Sequence, residues 1–331
     1  MKIDELDKRL DNEFSSVYKT VLVDGDWGIG KTYLIKNKYK ENKNKNKYDN
    51  VIYVSVFGVN SISEINLYIY KELHKVKGLA KKGYDSLLGG KELGVLSISI
   101  PFPEIKNTNN YMKKENKKIL IIIDDIERKS NNIDINELMG LFESLSSIEK
   151  VDVILIANSE KMLPEDKSKF NNFKEKVIEK IYNIDEYSEK AESSIIKKYL
   201  NNNKLFDIVE QYFKKSNVKN LRTLKKCVDF INQNLQYIDF DKLNKNQKEE
   251  LVQMEIYTVV EKINKDYMKV EEKENNSILS AFEDKSVQYI MKKYFNNASP
   301  YYKHRIVKYL TKIYDDINIE ENAKIIESIY D

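Results

Sequence analysis

The stretch VLVDGDWGIGKTYLI, residues 21–35, decides the fold of this chain. An apolar run opens it, a glycine-rich loop forms its centre, and a helical pattern follows. The segment GDWGIGKT (25–32) fits the pattern G-x-x-x-x-G-K-[ST], in which backbone N–H groups surround phosphate oxygens. The following helix adds the positive end of its dipole. The stretch therefore predicts a phosphate-binding loop between a strand and a helix.

The residues of this loop have individual predicted roles. Gly28 and Gly30 let the backbone turn its N–H groups toward the phosphates. Lys31 is predicted to reach the β- and γ-phosphates of a nucleotide, and the Thr32 hydroxyl to bind Mg²⁺. We predict that the nucleotide is ATP with Mg²⁺ as cofactor, and that the binding residues are Gly25, Asp26, Trp27, Gly28, Ile29, Gly30, Lys31, Thr32 and Tyr33.

Apolar runs and helical patterns alternate through the first half of the chain. The apolar runs are TVLVD (20–24), NVIYVSVFG (50–58), KILIIID (118–124) and VDVILIAN (151–158). The helical patterns occupy about 3–18, 31–41, 62–77 and 134–149. Nearly continuous apolar strands that alternate with helices are typical of a parallel sheet covered on both faces, so we predict an α/β core.

The second half of the chain is predicted to be all helical. Apolar residues recur there at steps of three and four, in 191–200, 218–238, 252–267, 278–295 and 301–314. All ten glycines lie at or before Gly140. We predict an α/β core in 1–185, a helical lid in 186–240 and a helical C-terminal region in 241–331. Five glycines fall in 78–117, which is predicted to be an insert in the core that forms a hairpin or a lid.

Two carboxylates end the third apolar run, in KILIIIDDIER (118–128). Ligands of open α/β sheets bind at the carboxyl ends of the strands, so Asp124 and Asp125 fall at the expected edge. We predict that Thr32 binds Mg²⁺ and that Asp124 holds the ion through a water molecule, and that Asp125 orients or deprotonates the attacking water. Glu127 is the alternative residue for this second role.

Three further polar residues are predicted to act on the nucleotide. Asn158 ends the next apolar run, where its side chain can contact the γ-phosphate or the attacking water, the role called sensor 1. Arg128 follows the carboxylates and is predicted to face the nucleotide of a neighbouring subunit. Arg222 lies next to Leu221 of a buried stripe and is rotated from it by about 100°. It is therefore either a sensor-2 arginine that reaches the phosphates or a solvated surface residue.

The composition limits the classes of protein that fit. The chain has 331 residues, 33% of them charged, with a net charge of only +3, which leaves nucleic-acid binding open without implying it. The single cysteine, Cys227, excludes an internal disulfide and fits a reducing cytosol. No segment approaches the roughly 20 apolar residues that span a bilayer, and the start of the chain is acidic and polar. We therefore expect a cytoplasmic protein without a membrane contact.

The motifs together resemble the KAP family of P-loop NTPases, in the neighbourhood of the AAA+ and STAND proteins. The Trp27 loop, from Gly25 to Gly28, is the most specific element of the resemblance. The acidic strand end from Asp124 to Arg128 is the second. The stretches YVSVFG (53–58), FKEKVIEK (173–180) and NLRTLKK (220–226) are similar to further family landmarks, so the resemblance covers about 1–235.

The resemblance implies a P-loop NTPase core and an ATPase that acts as a nucleotide-dependent switch on a partner effector or on a second subunit. Because the family includes bacterial proteins that exclude phage, it also suggests anti-phage defence. Many members carry transmembrane helices between the two nucleotide motifs, whereas the corresponding segment 78–117 is too polar here. Trp27 is expected to brace the phosphate loop.

Three other functions stay open at the level of the sequence. The first is a DNA-associated AAA+-like ATPase of the loader or initiator type, which a basic face formed by 36–47 and the C-terminal helices would favour. The second is a small-molecule kinase, which needs an acceptor substrate. The third is a scaffold that binds nucleotide without hydrolysis, and the intact Lys31 and Asp125 argue against it.

Overall fold

The computed structural model describes residues 1–14, 16–41, 47–74, 118–236, 238, 240–269, 284–296 and 300–315. The predicted insert 78–117 lies outside the described residues. Contacts divide the chain into two units, Met1–Glu186 and Tyr187–Asp331, which we describe separately.

The first unit alternates strands and helices along the chain. Its strands are β1 (Thr20–Gly25), β2 (Asn50–Ser55), β3 (Ile119–Asp124), β4 (Val151–Ala157) and β5 (Lys180–Ile184). Its helices are α1 (Ile3–Asn12), α2 (Lys31–Lys36), α3 (Ile62–His74), α4 (Ile135–Ser146) and α5 (Pro164–Val177). Helix α2 continues into a π-helical turn at Asn37–Glu41, and a short 3-10 helix follows β3 at Ile126–Arg128.

The five strands form one parallel sheet in the order β2-β3-β4-β1-β5. The predicted α/β fold is confirmed. The edge strand β5 is absent from the predicted runs, because its sequence KIYNI places Lys180 and Asn183 among few apolar residues. Its burial alternates as expected for an edge strand, whereas the central strands β3 and β4 are buried at every position.

The central strand β3 shows how both faces of the sheet are covered. Ile119, Ile121 and Ile123 belong to a core cluster that includes residues of α3, α4 and α5. Side chains alternate between the two faces of a strand, so Leu120 and Asp124 share the opposite face. That face carries α2, whose Thr32 donates a hydrogen bond to Asp124. The last residue of the buried strand is thereby brought to the start of the helix that follows the loop.

The second unit consists of helices throughout its described part. They are α6 (Glu189–Tyr199), α7 (Phe206–Lys215), α8 (Leu221–Asn234), α9 (Lys245–Asn264), α10 (Lys285–Tyr294) and α11 (Tyr301–Asp315). The predicted all-helical region is confirmed, although α7 is absent from the predicted stripes. No helix among these or the other described residues is long and apolar enough to cross a membrane.

Two helix starts in this unit follow from capping side chains. Asn220 accepts hydrogen bonds from the N–H groups of Arg222 and Thr223, at 2.9 and 3.4 Å, and so begins α8. Asn244 and Gln247 form a reciprocal capping box at the start of α9. The predicted helix 218–238 is therefore shorter in the structure, and the apolar residue Ile238 is buried beyond its end.

One hydrophobic core joins all six helices described in the second unit. It contains Ile196 and Val228 from the predicted lid, and Val259 and Leu310 from the predicted C-terminal region. The predicted boundary at residue 240 stays a prediction, and helices on both sides of it pack into the same core.

Candidate nucleotide-binding site

The glycine-rich loop joins the end of β1 to the start of α2 in a conformation that needs glycine. Gly25, Gly28 and Gly30 have φ angles of 151°, 80° and 101°. A Cβ atom on Gly25 would lie 2.1 Å from the backbone oxygen of Ile184, so β1 can approach β5 closely only with glycine there. Gly30 caps the first turn of α2 in the left-handed region.

Lys31 is the cation of the loop. Its side chain is only 7% exposed, and its Nζ donates to the backbone oxygens of Gly25, at 2.5 Å, and Asp26, at 2.8 Å. Burial lowers the pKa of Lys31, and the carboxylates of Glu127 and Asp124 oppose that change. The ammonium group therefore lies inside the loop that the sequence predicts to surround the phosphates.

Thr32 and Asp124 form the predicted metal-binding pair. The Thr32 Oγ1 donates to Oδ2 of Asp124 at 2.7 Å. Asp124 is 4% exposed, and burial raises its pKa, while hydrogen bonds from Thr32 and Tyr53 oppose the rise. A hydroxyl and a carboxylate are the hard oxygen ligands that Mg²⁺ prefers, so the two residues fit this ion.

Tyr53 supports Asp124 and was not predicted as a site residue. Its hydroxyl donates to Oδ2 of Asp124 at 2.8 Å, while Oδ1 accepts from the N–H of Asp125 at 2.8 Å. The Nζ of Lys36 lies 3.6 Å from the centre of the Tyr53 ring. The available signal was the alternation of Tyr53 and Ser55 at the end of an otherwise apolar strand, which directs both side chains to one face.

Asp125 begins the short 3-10 helix with a left-handed backbone, at φ 60° and ψ 37°. Its Oδ2 accepts from the Ser55 hydroxyl at 2.7 Å, and its Oδ1 lies 3.4 Å from a guanidinium nitrogen of Arg128. The same guanidinium group stacks 3.7 Å from the ring centre of Phe57. Asp125 is thus oriented from β2, and Arg128 lies at the margin of the site within its own chain.

Glu127 links three loops of the first unit. Its Oε1 accepts from the indole N–H of Trp27, and its Oε2 accepts from the backbone N–H of Asn158 at 3.0 Å. The side-chain amide of Asn158 donates to Oδ1 of Asp26 at 3.3 Å. The phosphate loop is therefore connected to the ends of both β3 and β4.

A second contact from β1 to the loop after β4 strengthens this connection. Asp24 accepts from the N–H of Ser159 at 2.8 Å with one carboxylate oxygen, and from the Ser159 hydroxyl with the other. Neither residue was predicted to belong to the site. Asp24 lies in the apolar run before the loop, where a strand-end carboxylate can equally well close a turn.

Most of the predicted site residues come together at the carboxyl edge of this sheet. The residues joined by the contacts above are Gly25, Asp26, Trp27, Lys31, Thr32, Asp124, Asp125, Glu127, Arg128 and Asn158. Ile29 is buried in the loop, and Tyr33 is exposed on α2. Arg222 is an exposed residue of α8 in the second unit, so its sensor role stays a prediction.

Two family models match this chain. The model described as an ATPase domain predominantly from Archaea matches residues 1–187. The model of the KAP family P-loop domain matches residues 102–279, which is more than half of the chain. The chain belongs to the KAP family of P-loop NTPases. The predicted resemblance is thereby confirmed over 102–279. The acidic strand end from Asp124 to Arg128 lies within both matches, whereas the glycine-rich loop at 25–32 lies within the first match alone.

The solved structures that resemble this chain have low sequence identity to it. The ADP form of the Aeropyrum pernix ORC2 protein is 14% identical, with 99% of this chain and 92% of that chain covered and a TM-score of 0.48. AMPPCP-bound DnaA from Aquifex aeolicus is 18% identical, with 95% and 93% covered and a TM-score of 0.36. These similarities support no argument about function. None of the curated proteins matches the chain.

Proposed function

We propose that this KAP-family protein binds ATP with Mg²⁺, hydrolyses it, and uses the cycle as a conformational switch. The observation that carries the proposal is the arrangement of one buried cation, Lys31, beside a bonded hydroxyl–carboxylate pair, Thr32 and Asp124. Backbone N–H groups and a helix start lie next to them, which is the chemistry that a nucleoside triphosphate requires.

In this proposal each residue of the site has a separate role. Lys31 contacts the phosphates, and Thr32 with Asp124 holds Mg²⁺. When bound, the ion neutralises charge on the phosphate oxygens. Asp125 orients the attacking water, since its Oδ1 has only the 3.4 Å contact with Arg128, whereas both oxygens of Glu127 accept closer hydrogen bonds.

The proposal is tested by ATP turnover in the presence and absence of Mg²⁺, without any added acceptor. We expect Lys31→Ala to abolish hydrolysis and to weaken ATP binding severely in calorimetry, because a single preorganised charge contact supplies about 3 kcal/mol or more. The matched control is Lys167→Ala, which removes a surface lysine that pairs with Glu160.

Absence of phosphate release from the purified wild-type protein with Mg²⁺ would overturn the hydrolysis. Wild-type ATP affinity in Lys31→Ala would overturn the site. Turnover that needs a small-molecule acceptor would instead identify a kinase.

We extend the proposal to the cellular role that family membership suggests. The switch acts in anti-phage defence, on a partner effector or on a second copy of this chain, with Arg128 directed to the neighbouring nucleotide. A plaque assay on cells that express the wild-type protein or Lys31→Ala tests this role. Equal plaque numbers would contradict the defensive role, and a salt-dependent affinity for duplex DNA would favour the loader or initiator alternative.

A further inference from the structure

A closed ring of contacts links two residues of the phosphate loop to the loops after β3 and β4. It runs from the Trp27 indole to Glu127, from Glu127 to the backbone of Asn158, and from the Asn158 side chain to Asp26, which precedes Trp27 in the chain. The ring joins the loops that follow β1, β3 and β4. These loops carry the residues proposed above to bind and hydrolyse ATP.

The surroundings of Trp27 show that packing does not account for the residue. Its side chain is 43% exposed, although tryptophan has a large apolar surface that is usually buried in a core. Its indole N–H donates to a carboxylate, and hydrogen bonds to charged acceptors are about twice as strong as those between neutral groups. The hydrogen bond of the indole N–H is therefore the interaction that distinguishes Trp27 from a residue placed for packing.

The other end of this contact is linked to the buried cation through Asp26. The Nζ of Lys31 donates to the backbone oxygen of Asp26 at 2.8 Å, and the Asp26 carboxylate accepts from the side-chain amide of Asn158 at 3.3 Å. The Glu127 carboxylate fixes the N–H of Asn158, the residue that ends β4. Whatever orients Glu127 therefore acts on both Lys31 and Asn158.

We propose that Trp27 is a positioning residue of the phosphate site, which acts through Glu127 and thereby keeps Lys31 and Asn158 in one arrangement. The proposal rests on the proposed ATPase function and assigns to Trp27 and Glu127 a joint role in it. Glu127 serves in this role as a fixed charge between the loops.

A double-mutant cycle tests this proposal on the full chain. Trp27→Phe keeps an aromatic ring without the N–H donor, and Glu127→Gln keeps the size of the side chain without its charge. We expect each single variant to lower kcat about tenfold, the scale of one hydrogen bond to a charged group. The double variant should be no slower than Glu127→Gln alone, because the two residues act through one contact. Phe173→Leu, which alters another partly exposed aromatic residue of the same unit, serves as the control.

Two outcomes of the cycle would overturn the proposal. One is a wild-type kcat for Trp27→Phe, and the other is multiplication of the two single effects in the double variant. If Trp27→Phe fails to fold, Trp27→His restores an N–H donor on a smaller ring, and it should then retain more activity than Trp27→Leu. Equal activities of those two variants would also contradict the proposal.

Fluorescence tests the contact between Trp27 and Glu127 independently of the ATPase function. Trp27 is the only tryptophan of the chain, so its emission reports on this contact without a label. We expect Glu127→Ala, which removes both side-chain oxygens, to raise the quenching of the nucleotide-free protein by acrylamide, since the indole loses its acceptor. Unchanged quenching would overturn the contact even in an active ATPase. Raised quenching in a protein that never turns over ATP would support the contact and contradict the hydrolysis.

Discussion

The proposed chemistry depends on how each carboxylate at the sheet edge is oriented. Asp124 is held by Thr32 and Tyr53, Asp125 by Ser55, and Glu127 by Trp27. Three acidic residues within four positions thus have separate partners. The sequence assigns roles to the three acidic residues by their order along the chain. The structure distinguishes them by the hydrogen-bond donors that contact each one.

The partners of the carboxylates predict different effects of two amide substitutions. Asp125→Asn should leave ATP bound while lowering kcat by about 10²-fold or more, because it removes the group proposed to orient the water. Glu127→Gln should lower kcat only about tenfold, the effect of a positioning residue. Single-turnover hydrolysis together with calorimetry of ATP binding measures both. The reverse ranking would identify Glu127 as the base.

At the scale of elements, the strands with a strong apolar pattern were predicted correctly. The four apolar runs became β1 to β4, because continuous burial leaves a clear apolar signal. The edge strand β5 and the helices α5 and α7 were not predicted, and of the α5 side chains only Phe170 and Val177 are buried. In β5 only alternate residues are buried, and α7 lies between short turns that contain asparagine. Such elements depend on neighbours that a single sequence does not reveal.

The candidate site was predictable to the extent that its residues belong to linear motifs. Lys31, Thr32 and Asp124 follow from the spacing of glycine and acidic residues. Tyr53 and Asp24 do not, because their roles arise from the sheet order, which places β2 beside β3 and β4 beside β1. The site residues that depend on contacts between distant segments could therefore be identified only from the structure.

The close approach of β1 and β5 makes a prediction for this pair of elements. Gly25→Ala should destabilise the first unit by about 2 kcal/mol or more, since the new Cβ would lie 2.1 Å from the Ile184 oxygen. Gly140→Ala is the matched control in α4, where an added Cβ meets no atom within 4 Å. That change should stabilise by about 0.5–1 kcal/mol. Urea unfolding followed by Trp27 fluorescence measures both, and equal midpoints would contradict the steric argument.

At the scale of the whole molecule, the proposed switch requires that the second unit respond to the nucleotide. Arg222 is the residue predicted to mediate this response, and it is exposed at the start of α8. Arg222→Ala should change stability by no more than about 0.5 kcal/mol, as is usual for surface substitutions. It should weaken ATP binding relative to ADP binding in competition experiments. Lys226→Ala, on the same helix, is the control.

Limited proteolysis of the segment after residue 185, with each nucleotide, gives a second measurement. We expect the wild-type protein to differ between ATP and ADP in its protection, and Arg222→Ala to lose the difference. An unchanged preference for ATP together with unchanged protection would make Arg222 an ordinary surface residue.

The two units also differ in how their stability should depend on pH. Glu255 is fully buried in the core of the second unit, where one carboxyl oxygen accepts from Asn234 at 2.7 Å. Its other oxygen has no hydrogen-bond partner among the described residues. Burial raises the pKa of Glu255 to about 8 from its ordinary value of 4.5. The folded unit therefore retains a proton that the unfolded chain releases at neutral pH.

The sign of this linkage predicts a specific pH profile. The contribution of Glu255 to stability is fully present below about pH 4.5 and is lost as the pH rises through about 8. Glu255→Gln removes the titration, so its stability relative to the wild type should rise with pH, by about 3 kcal/mol between pH 4.5 and pH 7. Hydrogen exchange of α9 between pH 5 and 9, corrected for the intrinsic exchange rate, measures it, with Glu249→Gln on the same helix as control. Because Trp27 lies in the first unit, its fluorescence should report no such change. If Glu255→Gln and the wild type differ in stability by the same amount at every pH, the Glu255 carboxyl does not titrate in this range.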